Sequence, residues 1–434
     1  MKYYCIGIKG SGMSSLANIL SDMGHTVTGY DDAKGYKYTM DGLEKRGIKI
    51  FYGAHDIDKD TIVTYSKAFK MDHPEIKRVK DLGLTLKEYK DVMGDITALF
   101  KTIGVSGTHG KTTTSLMISE IFNNTVGCNY FVGDGTGHAT KTNEYFVIES
   151  DEFNKHLLAY HPTVAIITNI ELDHTECYPG GIEEIKDTFR QFANKADLII
   201  ANGDDKNVRD IKFDKKVIYY GLNDNNDVVA KNVSLTDKGS KFECYIDGKK
   251  FGTFNLKLYG NHMIQNALSA IIVANYYGIS LSDIKKNIAK FTGAKRRFKI
   301  KKIGKYITID DYAHHPTEIA VTIKAAKQKY PDKEIVAVFL PNTYSRTEAL
   351  MDEFVDALSL ADKAYVMDIY CDREKQEEYP GVSSDTLIKR IKGAEKISVK
   401  DADKLLKHDN GVICFMSCTN IYEIENEFER IVKK

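Results

Sequence analysis

The chain has no net charge to offer a polyanion: 61 Lys and Arg are balanced by 61 Asp and Glu. Without a global positive field, nucleic acid and anionic membrane surfaces are poor partners. No apolar run approaches the roughly 18 residues of a membrane-spanning helix. The opening segment MKYYCIGIKGSG has no long apolar core and no cleavage signature, so a cytoplasmic location is expected. No CxxC pair occurs among Cys5, Cys128, Cys177, Cys244, Cys371, Cys414 and Cys418. An odd, scattered set gives little support to a disulfide framework or a structural zinc site, and reads as free, mostly buried thiols. Repeats and low-complexity tracts are missing. With 7 prolines in 434 residues, linkers are not advertised, and domain borders must come from restarts of the strand–helix pattern.

What is present is the profile of a globular protein, 42% hydrophobic and 28% charged, with a length that suits two or three domains. Three restarts are visible. The first opens the chain: strand Tyr3–Ile6, glycine turn Gly7–Gly12, helix Ser14–Met23 closed by Gly24, and strand Thr26–Tyr30 ending at Asp31 and Asp32. A βαβ opening of this kind implies a parallel sheet. The second begins near residue 97, with strand Thr102–Val105, a tight loop, and helix Thr112–Phe122. Short apolar runs follow at Tyr145–Ile148, Thr163–Ile167, Leu198–Ala201 and Val217–Tyr220, as expected of strands covered on both faces. Asp247-Gly248, between Lys241–Ile246 and Lys249–Phe254, signals a type I′ hairpin. The third restart follows Phe291-Thr292-Gly293, with strands at Tyr306–Ile309, Ile335–Phe339, Ala364–Met367 and Val412–Phe415 and a helix over Thr317–Gln328. The expected architecture is three consecutive α/β domains: a Rossmann-like domain over 1–96, a P-loop-type ATPase sheet over 97–293, and a second Rossmann-like domain over 294–434.

The sharpest motif is Ser106-Gly107-Thr108-His109-Gly110-Lys111-Thr112, between a strand and a helix. Glycines let main-chain N–H groups converge on phosphate oxygens, and the helix N-terminus adds a positive dipole end. Lys111 can reach terminal phosphates, and the Thr112 hydroxyl suits Mg²⁺. The common G-x-x-x-x-G-K-[ST] spacing is not met, because Val105 stands at its first glycine. Glu149, Asp151 and Glu152 follow one strand, and Asn169, Glu171, Asp173 and His174 follow the next. Acids and an imidazole at adjacent strand ends make a Mg²⁺ neighbourhood plausible. At the chain start, Lys9 breaks GxGxxG, which argues against a dinucleotide but leaves room for a diphosphate at the helix N-terminus. Asp31 stands where it could bond a ribose or a uracil edge.

SGTHGKTTT at 106–114 resembles the ATP loop of the Mur ligases, which has this same shortened glycine spacing. The likeness extends along nearly the whole chain. IGIKGSGMSSLA at the start is similar to the family's UDP-sugar turn, and VIESDE (147–152) and TNIELDH (168–174) to its metal-site strand ends. VGDGTG (132–137), GAKRRF (293–298), DDYAHHPTE (310–318) and FLPNTYSRT (339–347) fall in family order.

The resemblance implies a ligase in which ATP phosphorylates the carboxylate of UDP-N-acetylmuramate and the amine of L-alanine attacks the acyl phosphate. It implies ATP and Mg²⁺ as cofactors; the chain itself shows no heptad run, and a monomer or weak homodimer is expected. Gly107, Thr108, His109, Gly110, Lys111, Thr112 and Thr113 would cradle ATP, with Lys111 screening the β- and γ-phosphates. Thr112 and Glu149 would hold one metal ion and His174 a second. Asn169, His262, Asn266, Arg297 and Asp311 would complete the nucleotide site. His314 and Arg346 would face the amino acid and the developing charge, and Gly7, Gly10, Ser11, Gly12, Met13 and Asp31 would bind the UDP-sugar. The third domain would have to close over ATP to keep water from the acyl phosphate.

Four departures from the family pattern stand out. Met263 replaces an asparagine on the adenine side. Leu340 and Asn342 replace glutamine and histidine, and Met416–Ile421 replaces a Gly-Ala-Gly-Asp-Ile loop. A thioether cannot read adenine's edge, asparagine cannot carry charge, and loss of glycines limits close backbone approach. A sibling ligase with another acceptor, or a nucleotide-binding homologue with impaired catalysis, would account for the same residues.

Overall fold

A computed structural model describes residues 1–133, 135–294, 296–371 and 374–434. Asp134 in VGDGTG and Lys295 in GAKRRF lie outside the described residues. Three α/β sheets are present, mostly parallel, as expected.

The first sheet comprises β1 (Lys2–Ile6), β2 (Thr26–Tyr30), β3 (Lys49–Phe51), β4 (Thr61–Tyr65) and β5 (Thr85–Glu88), ordered β3-β2-β1-β4-β5 and parallel throughout. Strand β1 shows why the sequence reads as one apolar run. Tyr3 and Cys5 enter one core cluster, while Tyr4 and Ile6 enter another on the opposite face. Sequence reasoning found only the first two of these five strands. Strands β3 and β5 are short and partly exposed, with little period-2 signal, whereas β4 is mostly buried but carries two threonines among its five residues.

The second sheet holds β6 (Lys101–Ser106), β7 (Cys128–Val132), β8 (Thr136–His138), β9 (Tyr145–Glu149), β10 (Val164–Ile167), β11 (Leu198–Asn202), β12 (Val217–Gly221), β13 (Val228–Thr236), β14 (Gly239–Ile246) and β15 (Lys249–Leu256). Their order is β15-β14-β13-β12-β11-β10-β6-β9-β7-β8. Strands β6, β9, β10, β11 and β12 pair in parallel, and all of β11 is buried. The chain reverses at Asp247-Gly248, both with positive φ (47° and 75°), the geometry a type I′ turn requires.

The third sheet contains β16 (Lys299–Ile303), β17 (Tyr306–Asp311), β18 (Glu334–Phe339), β19 (Lys363–Val366), β20 (Glu395–Lys396) and β21 (Gly411–Met416), ordered β16-β17-β21-β18-β19-β20. Only β16 pairs antiparallel, with β17. Ile335, Ala337 and Phe339 of β18 face one core cluster and Val336 and Val338 the other.

The chain divides into two compact units: residues 1–231, 243–254 and 265–291, and residues 232–242, 255–264 and 292–434. Within the first unit one core cluster runs from β1 and the 11–22 helix, through Phe131, Phe146 and Ile148, to Ile199 and Ala201. The first sheet and the second are therefore packed on shared apolar side chains. Among the described residues, no helix is long and apolar enough to cross a membrane.

Candidate active site

The loop between β6 and the Lys111–Asn123 helix is held by the end of β10. His109 N–H donates to Asn169 Oδ1 (2.8 Å), and Asn169 Nδ2 returns a bond to His109 O (2.9 Å). Thr108 N–H donates to Asn169 O (3.0 Å), and Thr168 Oγ1 donates to His109 O (2.6 Å). Gly107, at φ 132°, lies so close to Thr168 that a Cβ would stand 1.9 Å from its hydroxyl. Gly110, at φ 84°, faces the Asn266 amide in the same way, at 3.0 Å. The loop with the short spacing is thus pressed against two polar side chains, those of Thr168 and Asn266. Thr113 is buried beneath the loop.

Lys111 is the loop's charged centre. Its ammonium donates to Gly107 O (2.6 Å) and Thr108 O (3.1 Å) and is chelated by Glu152 Oε1 (2.9 Å) and Oε2 (2.7 Å). Burial opposes its charge, but the Glu152 and Asp151 carboxylates outweigh that and hold its pKa above the ordinary lysine value. Thr112 Oγ1 donates to Glu149 Oε1 (3.0 Å), and Gly133 N–H donates to Glu149 Oε2 (2.8 Å). Burial pushes the Glu149 carboxyl up, with Lys111 pulling the other way. A hydroxyl and a carboxylate converging beside a lysine form a donor set suited to a hard divalent cation.

His174 is placed differently. It holds a left-handed conformation (φ 51°), with its ring nitrogens 3.9 Å from Asp173 and 3.8 Å from Glu176. Burial opposes its protonation, yet Glu176, Asp173 and Glu152 raise its pKa. The structure joins Thr112 and Glu149 directly and sets His174 among other acids.

In the second unit, Asp311 ends β17. Its Oδ2 accepts the Phe298 N–H (2.6 Å) and its Oδ1 the Ala313 N–H (2.8 Å), so it clamps the GAKRRF and DDYAHHPTE segments together. Burial pushes its pKa up to about 6, against the pull of Arg297. Arg297 Nη1 donates to Glu318 Oε1 (3.2 Å), and His314 Nδ1 lies 3.0 Å from Glu318 Oε2. Arg297, Asp311 and His314 thus gather around Glu318. Arg346 belongs to a separate helix, Tyr344–Ala349, which follows β18; its Nη1 reaches Asn342 O at 3.5 Å. His262 packs against the Gly260 turn, and burial pushes its pKa down to about 4.

At the N-terminal turn, Gly7 has φ 81°, and the 11–22 helix starts at Ser11 with no acid in its first turn and no side-chain cap. Gly10, Ser11, Gly12 and Met13 lead into it, and Met13 is buried. Asp31 accepts the N–H groups of Lys9 (3.0 Å) and Ala33 (3.1 Å), shaping the backbone around the turn.

Two partners escaped sequence reasoning. Glu152 stood there among the acids of a metal neighbourhood, not as the counter-ion of Lys111; its place three residues beyond Glu149 was the available signal. Gln265 binds Asp204 (3.0 Å), and nothing local marks that contact.

Three family models match the chain: the Mur ligase family catalytic domain over residues 2–101, the Mur ligase middle domain over 105–274, and the Mur ligase glutamate ligase domain over 296–414. The UDP-N-acetylmuramate–L-alanine ligase of Lactiplantibacillus plantarum is 41% identical over 434 residues, covering 99% of each chain. The ligase of that name from Limosilactobacillus reuteri is 40% identical over 433 residues, again covering 99% of each. Among solved structures, the UDP-N-acetylmuramate-alanine ligase of Thermotoga maritima superposes with a TM-score of 0.81 at 25% identity, covering 100% of this chain and 99% of that one.

Proposed function

The chain belongs to the Mur ligase family, and from that premise we propose that it joins L-alanine to the carboxylate of UDP-N-acetylmuramate, with ATP cleaved to ADP and phosphate. The observation that carries this reading is full-length identity of 40–41% to ligases of that name. The site chemistry agrees with it. Two anions, the γ-phosphate and the sugar carboxylate, must meet before the acyl phosphate forms, so cationic screening is the main catalytic need. Lys111 supplies a permanent charge at the phosphate loop. Thr112 and Glu149 would hold Mg²⁺, which when bound adds Lewis-acid stabilisation of phosphate charge. His174 would serve a second ion from the neighbouring strand end. Asn169 and Asn266 keep the loop in shape for ATP, with Gly107, Thr108, His109, Gly110 and Thr113 supplying its backbone cradle and His262 the base side.

Arg297, Asp311, His314 and Arg346 belong to the nucleotide and amino-acid contacts of the C-terminal region. Gly7, Gly10, Ser11, Gly12, Met13 and Asp31 belong to the sugar-nucleotide turn. We place the domain borders near residues 97 and 294, and the enzyme in the cytoplasm as a monomer or weak dimer.

Phosphate release with UDP-N-acetylmuramate and each of alanine, glycine, serine and a tripeptide tests the proposal. Alanine-dependent release is expected, and Lys111→Ala should abolish it. Preference for another acceptor would assign a sibling activity. No release with any acceptor, despite ATP binding, would sink the ligase reading.

A further inference from the structure

Lys9, the residue that breaks the dinucleotide pattern, has no part in the reading above. It stands inside the glycine turn with 1% exposure, where lysine is rarely found. Its ammonium donates to Ala33 O (2.6 Å) and Gly35 O (2.9 Å) and lies 4.6 Å from the centroid of the Tyr52 ring. Its main chain is engaged too: the N–H donates to Asp31, and the carbonyl accepts from Thr39 Oγ1 (2.8 Å). One residue therefore ties the end of β2, the 33–39 segment and the chain beyond β3 to the turn that opens the 11–22 helix. That segment carries Tyr36 and Tyr38, exposed at 68% and 63%. Two exposed aromatics on an untethered loop would sample many arrangements. Pinned by the ammonium and the carbonyl of Lys9, the loop is presented in one, which lowers the ordering cost of binding.

We propose that Lys9 is a positioning residue for the sugar nucleotide: it straps the 33–39 segment across the glycine turn, so that the diphosphate end of the ligand meets a preformed rim. Lys9 does not itself touch the ligand, because its donors are occupied by main-chain carbonyls and an aromatic face. The proposal rests on the N-terminal turn being the sugar-nucleotide site.

Calorimetric titration with UDP-N-acetylmuramate, together with steady-state kinetics in both substrates, tests it. Lys9→Met keeps the aliphatic stem and removes the donors. It should raise the Kd and KM for UDP-N-acetylmuramate about tenfold, equivalent to about 1.4 kcal/mol, while KM for ATP and kcat at saturation stay within about twofold. Lys9→Arg, which keeps donors, should recover part of the loss. Thr39→Val removes one tie without altering the ammonium and should raise the same constants about threefold; it serves if Lys9→Met does not fold. Unchanged sugar-nucleotide affinity in Lys9→Met, or an equal loss for ATP with a lowered Tm, would overturn the strap. A wild type that fails to bind UDP-N-acetylmuramate would instead remove the site reading, and the strap with it.

Discussion

Lys111 carries its ammonium into the phosphate loop, where it takes both oxygens of Glu152, with side-chain exposures of 12% and 5%. The pair explains how a lysine aimed at phosphate is kept charged in a closed loop, since burial alone would favour its neutral form. Removing one member of such a pair leaves the other uncompensated. Glu152→Gln should therefore cost about 3 kcal/mol of stability, partly offset because Gly107 O and Thr108 O still accept from the lysine. ATP brings negative charge back to the ammonium, so ATP should raise the Tm of Glu152→Gln more than that of the wild type. Thermal unfolding with and without ATP measures both, and equal ATP shifts would show that Glu152 and phosphate do not share Lys111. Asp311 has a structural task of the same kind: both of its oxygens brace backbone, which is invisible until Phe298 and Ala313 are brought together.

At the scale of elements, the loop after β21 shows how a departure from a family pattern is absorbed. Glycines are lost between Met416 and Ile421, but Ser417 and Thr419 rebuild the turn with side chains. Ser417 Oγ donates to Leu340 O (2.9 Å), accepts the Thr419 N–H (3.1 Å) and lies 3.0 Å from Thr419 Oγ1. Ser417 is fully buried, so Ser417→Ala leaves unmet polar groups and should cost about 2 kcal/mol, read from urea unfolding. A change below a few tenths would mean the turn is held by its backbone alone. Strands such as β11 and β18 were legible because both faces are buried and the apolar run is continuous. The 247–248 hairpin was legible because two positive φ values call for Asp-Gly. Strands β3, β5 and β8 were not, being three or four residues long with mixed burial. In the site, Gly107, Lys111, Thr112 and Glu149 were readable from loop chemistry. The Lys9 strap and the Glu152 partner were not, because each depends on side-chain reach across 22 to 41 residues.

At the scale of the first unit, the contact least visible in the sequence joins the first sheet to the second. Asp22 ends the 11–22 helix, where the helix dipole disfavours an anion. It is held there by Arg46 Nε (2.7 Å) and Nη2 (2.8 Å) and, from 116 residues away, by His138 Nδ1 at 2.8 Å. The Ala139 N–H adds a fourth contact at 3.3 Å. Burial raises the Asp22 pKa, but Arg46 and His138 outweigh it, so the folded value lies below the ordinary one. A depressed folded pKa adds stability that is present above the unfolded value and lost as pH falls through the folded one. Asp22→Asn should therefore lower stability by about 2 kcal/mol at pH 7, and the gap to wild type should close as pH falls below about 4. Urea unfolding at the two pH values decides it. A gap that persists undiminished in acid would mean that the loss comes from packing of the 11–22 helix on β8, and that the charge at Asp22 contributes nothing to holding the two sheets together.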